Sequence, residues 1–126
     1  MFITNALTSL GITEWVLRGT PSNETEFKQM FSKVTGADSN GTAIESTDPA
    51  DWGFNVADVF AKAAELEAAE PLRLLRAERD RKIAETDWWA GADLVMTAAQ
   101  RDYRQALRDI TNSYTSLEDV VWPVKP

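Results

Sequence analysis

Apolar positions along the 126 residues follow several distinct spacings, and each spacing predicts an element. Residues 2–11 form a short turn-prone segment. Ile12-Thr13-Glu14-Trp15-Val16-Leu17-Arg18 is rich in strand-favouring types and is ended by Gly19. Because Trp15, Val16 and Leu17 are consecutive, the predicted strand is covered on both faces or meets a partner on one. Asn23 followed three residues later by Glu26 is a capping box. Phe27, Met30, Phe31 and Val34 then recur at i, i+3, i+4 and i+7, which predicts an amphipathic helix stopped at Gly36. Asp38-Ser39-Asn40-Gly41 is a turn, and Thr42–Ser46 a second short strand. That order gives a β-α-β unit with the two strands side by side and the helix over one face.

Thr47-Asp48-Pro49-Ala50-Asp51-Trp52-Gly53 has the composition of an exposed hinge and marks the expected boundary between residues 1–50 and 54–126. Asn55 can cap a helix whose apolar face is Val56, Val59, Phe60 and Ala63. Pro71 permits either one bent helix of about thirty residues or two consecutive helices, since proline is tolerated in a first turn but not in an interior. Beyond it, Leu72, Leu75 and Ile83 share an arc with Arg76 and Arg79, and Glu78–Lys82 is a favourable i,i+4 pair. Thr97 with Gln100 forms a second capping box. The helix it opens places Ala99, Tyr103, Ala106, Leu107 and Ile110 on one face and Arg101, Arg104 and Arg108 on a face expected to be solvated. The expected fold is α+β: a small N-terminal β-α-β unit, then a C-terminal helical hairpin with an extended Trp-Pro tail.

Charge and composition narrow the function. The net charge is −7, with three basic against eight acidic residues in 1–60 and ten against twelve in 61–126. An acidic chain repels phosphate backbones, which argues against nucleic-acid binding. Cysteine and histidine are both absent, which removes thiolates, imidazole bases and the usual zinc ligands. The loop from Asp38 fails as a calcium site, because the sixth and twelfth positions are Ala43 and Pro49. No two carboxylates of the 38–51 loop stand at a catalytic spacing, so a small hydrolase has no support. No catalytic, cofactor-binding or metal-ligating residue is therefore expected, and no enzyme activity. No apolar run is long enough for a membrane span, and residues 1–5 lack the basic flank of a secretion signal, so the reading is of a protein acting in a cytoplasm.

Three motifs in fixed order carry a resemblance: Arg76–Arg81 leading into Ala84-Glu85-Thr86-Asp87-Trp88, then Tyr103–Ile110, then Trp122-Pro123. Over residues 71–126 the chain resembles the phage tail assembly chaperones, small proteins often encoded beside tail-fibre genes. The resemblance implies a shared C-terminal module, a fibre-specific N-terminal region, and Trp88 as the structural member of the Trp88-Trp89 pair. It implies a non-enzymatic chaperone that shields a trimeric phage tail fibre protein in the host cytoplasm until its subunits assemble. The alternative is a structural virion protein retained on the fibre as a tip or adaptor. Rigid aromatics and a forked guanidinium are good interface anchors. The candidate partner-binding residues are accordingly Trp15, Trp52, Trp88, Trp89, Arg104, Arg108, Trp122 and Pro123, with self-association also open.

Overall fold

A computed structural model describes residues 2–126. Helix α1 spans Ile3–Ser9, strand β1 Trp15–Leu17, helix α2 Glu24–Met30, strand β2 Phe31–Ala37, strand β3 Ala43–Ser46, helix α3 Val56–Glu85 and helix α4 Ala98–Arg108. Short 3-10 turns occupy Pro49–Asp51, Asp87–Ala90 and Ile110–Asn112. The fold is α+β, with the strands in one antiparallel sheet of order β1-β2-β3. Contacts divide the chain into two compact units, one ending at Ala68 and the other running Ala69–Pro126. The division falls inside α3, not at the 47–53 hinge. Met1, part of the expected first region, lies outside the described residues.

In the first unit the expected β-α-β arrangement differs in one element. The helix opened by Asn23, whose side chain accepts from Glu26 N at 2.9 Å, stops at Met30. Phe31–Ala37 is a strand, paired on one side with β1 and on the other with β3, so the two strands read from sequence flank it and do not touch. Phe27 and Phe31 are buried whether the chain is helical or extended there, and β-branched Val34 and Thr35 favour the ladder. Pairing on both edges decides the outcome. Glu26 also departs from the capping-box expectation, its carboxylate accepting from Ser22 N and Ser22 Oγ at 2.7 Å.

Residues 3–9, read as turn-prone, form α1, which buries Ile3, Ala6 and Leu7. These pack with Phe27, Phe31, Trp52, Val56, Val59 and Ala63. The Phe27 and Phe31 rings lie 4.8 Å apart, as do those of Phe31 and Trp52. Trp52 thus belongs to the core, where its Nε1 donates to Ser46 O at 3.0 Å. One polar ladder crosses the sheet: Arg18 donates to Ser32 Oγ and to Glu45, and Ser32 Oγ donates to Glu45 Oε1 at 2.6 Å. These donors hold the Glu45 carboxyl below its ordinary range, the bond from Arg18 contributing most and that from Ser32 next.

Helix α3 is continuous through Pro71. Asn55 Oδ1 caps it by accepting from Ala57 N at 3.1 Å. Glu78 pairs with Arg81 at 2.8 Å instead of Lys82. The i,i+3 and i,i+4 neighbours compete for one carboxylate, and the guanidinium fork takes it.

Candidate functional site

The C-terminal unit is built around the end of α3. Ile83 of α3 and Tyr103 and Leu107 of α4 meet Trp89, which the 3-10 turn Asp87–Ala90 swings inward. A left-over problem at any helix end is its unpaired carbonyls. Here Arg104 supplies the donors: its guanidinium bonds Ile83 O at 3.1 Å and Thr86 Oγ1 at 2.8 Å, and reaches Asp87 Oδ1 at 3.1 Å. Its side chain is only 12% exposed. Thr86, fully buried, donates its own hydroxyl to Ile83 O at 3.1 Å. Arg104 therefore binds its own chain and leaves the solvated stripe on which the helical period placed it.

The capping box predicted for α4 is present, with Gln100 N donating to Thr97 Oγ1 and Thr97 N to Gln100 Oε1. It fixes where α4 starts, and so the register that brings Tyr103, Arg104 and Leu107 to the end of α3.

The adjacent tryptophans divide in the sense opposite to the expectation. Trp89 is buried, 4% exposed, while Trp88 is 65% exposed, their rings 6.2 Å apart and edge-on. A turn that buries one of two consecutive side chains presents the other outward. The loop that follows adds Leu94, 48% exposed, and Val95, almost wholly exposed. These two residues carried no motif; an apolar pair in a short loop of Gly91, Ala92 and Asp93 was their available signal.

The remaining candidates separate by unit. Trp15 is half-buried in the first unit, stacked 6.3 Å from Phe31 and donating to Ile12 O, and Trp52 is core. Arg108 is exposed on α4 and donates to Gln105 Oε1 at 3.0 Å. Trp122 and Pro123 are half-buried, with Trp122 packed on the cluster of Trp89, Tyr103 and Leu107 and the Lys82 ammonium 5.0 Å from its ring centroid. The structure thus brings Trp88, Trp89, Arg104 and Trp122 to the C-terminal end of α3 and leaves Trp15 and Trp52 in the other unit. Among the described residues no group of three or more acidic side chains is placed to hold a metal ion, and no helix is long and apolar enough to cross a membrane.

Residues 72–126 match the model of a family described as phage tail assembly chaperone protein. The match covers the stretch in which the three ordered motifs lie, and a role in phage tail assembly is what it implies for this unit. Neither the curated proteins nor the solved structures include a match to the chain.

Proposed function

We propose that the protein is a phage tail fibre assembly chaperone, with the C-terminal unit as the part that holds the fibre subunit. The family match over residues 72–126 supports the assembly role. What supports binding through this unit is one observation: Trp88, Leu94, Val95, Val121 and Val124 all leave large apolar surface exposed there. A fibre subunit awaiting its trimer partners exposes apolar surface and unpaired strand edges that are prone to aggregate. A protein that offers rigid apolar side chains on a folded scaffold covers such surface without any reaction. Nothing in this mechanism needs a catalytic group, and the family is generally non-enzymatic.

On this reading the chaperone acts in the host cytoplasm, where the fibre is made, and the first unit adapts the shared module to a particular fibre. Co-expression with the neighbouring fibre gene tests it. The expected result is a complex of defined stoichiometry, with the fibre soluble only when this protein is present. Fibre that is soluble and trimeric alone, together with this protein in purified particles, would favour a virion tip or adaptor instead.

A further inference from the structure

We propose that the surface beneath residues 121–126 is a peptide-binding site whose resident occupant is the chain's own tail. Its external ligand is an extended segment of another protein bearing a bulky aromatic side chain and, three residues later, a lysine or arginine. The proposal stands on how the tail is held and not on the assembly reading.

Two anchors hold it. Trp122 rests on the Trp89, Tyr103 and Leu107 cluster with Lys82 over its ring. Three residues on, Lys125 Nζ donates to Glu85 Oε1 at 3.1 Å and lies 5.9 Å from the Trp89 ring centroid. The partners on α3, Lys82 and Glu85, are also three residues apart, so the tail runs in the direction of the helix. Beside the anchors Val121 and Val124 are 70% and 91% exposed. Among the described residues, no backbone–backbone hydrogen bond joins 121–126 to the rest of the chain.

Exposed ion pairs and exposed cation–π contacts are weak and the former are screened by salt. The tether accounts for the tail's occupancy, since linkage supplies an effective concentration of order mM. The site does not collapse without its strap: Arg81 also pairs with Glu85 at 3.1 Å, and the aromatic cluster is held by α3, α4 and the Trp88-Trp89 turn. A segment with the same aromatic and cation spacing meets a ring-binding ammonium and a carboxylate already in position.

The test uses a fluorophore-labelled peptide of residues 120–126, titrated by anisotropy against the full-length chain and a full-length Trp122→Ala/Lys125→Ala variant. Binding to the unlatched variant at least tenfold tighter than to the unmodified chain is expected. Adding Glu85→Lys to that variant should lower it several-fold, and a peptide carrying Lys125→Glu should restore it. Equal binding to both chains, no binding to a variant that keeps its helical circular dichroism, or a charge exchange that restores nothing overturns the proposal. Should the double variant unfold, Lys125→Glu alone is titrated, and the absence of any gain over the unmodified chain is then the overturning result. A light-scattering mass that doubles for the unmodified chain and not for the variant would make a second copy the occupant, and overturn the external ligand.

Discussion

Alanine substitution of each member of the Trp88-Trp89 pair should produce two opposite phenotypes. Trp89 is 4% exposed and packs on Tyr103 at a centroid distance of 6.0 Å, so its removal leaves a cavity in the cluster. Large aromatic to alanine changes in cores cost about 3–5 kcal/mol. For a unit this small that lowers the melting temperature by roughly 15 °C or more. Trp88 is 65% exposed, and its loss should stay within about 1 kcal/mol, as for other surface positions. If the exposed indole is a docking anchor, Trp88→Ala instead weakens capture of the fibre by about 2 kcal/mol, some thirtyfold. Urea melts followed by helical circular dichroism measure the first quantity, and titration with purified fibre subunit the second. Trp88→Ala melting as low as Trp89→Ala would refute the burial assignment. Normal melting together with undiminished capture would refute the docking role.

Arg104→Met keeps the apolar stem and removes the donors to Ile83 O and Thr86 Oγ1, so a loss of about 2–3 kcal/mol is expected in the same melts; a change below about 0.5 kcal/mol would show the guanidinium is idle. Pro71→Ala restores an interior helical donor and should raise the urea midpoint, by about 1–3 kcal/mol of stability, with increased ellipticity. Gly19 has φ +137° and an added Cβ would stand 2.8 Å from Met30 Sδ, so Gly19→Ala should destabilise the first unit by about 1–3 kcal/mol, read by a fall in its unfolding midpoint. The Glu45 carboxyl is depressed by Arg18 and Ser32, so its contribution is present above the unfolded carboxylate pKa of about 4.3 and is lost as pH falls through the lower folded value. The stability gap between the unmodified chain and Glu45→Gln, followed from pH 6 to 3, should accordingly narrow at the acid end.

What was legible in the sequence was local chemistry with a local answer. The side-chain caps at Asn23, Asn55 and Thr97 each satisfy a nearby backbone donor, and all three are present. Trp15–Leu17 and Ala43–Ser46 are strands where the side-chain types indicated them. The failures share a cause. Phe27, Met30, Phe31 and Val34 fit a helix face, yet two strands beside Phe31–Ala37 outweigh that preference, and their pairing involves residues as distant as Trp15 and Ser46. Ile3, Ala6 and Leu7 have helical spacing too, but the run is short and shows itself only against the core that covers it.

The same distinction separates what could and could not be read of the candidate site. A periodic pattern records that a side chain can face solvent; it does not record whether an unpaired carbonyl waits across from it. Arg101, Arg104 and Arg108 occupy one stripe by spacing, yet Arg104 alone lies opposite the end of α3, where Ile83 O and Thr86 Oγ1 draw its guanidinium away from water. The Lys82 reading fails for the same reason. Its local partner Glu78 is taken by Arg81, and the ammonium turns to a ring forty residues further along the chain. Arg104 thereby ties α4 to the end of α3, while Lys82 meets only the tail. The exposed apolar residues of this unit, Trp88, Leu94, Val95, Val121 and Val124, lie in turns, loop and tail where no helix or strand period could mark them. On the proposed reading, exposed side chains that no regular element requires are available for contact, while the caps and the Arg104 hydrogen bonds hold the scaffold beneath them.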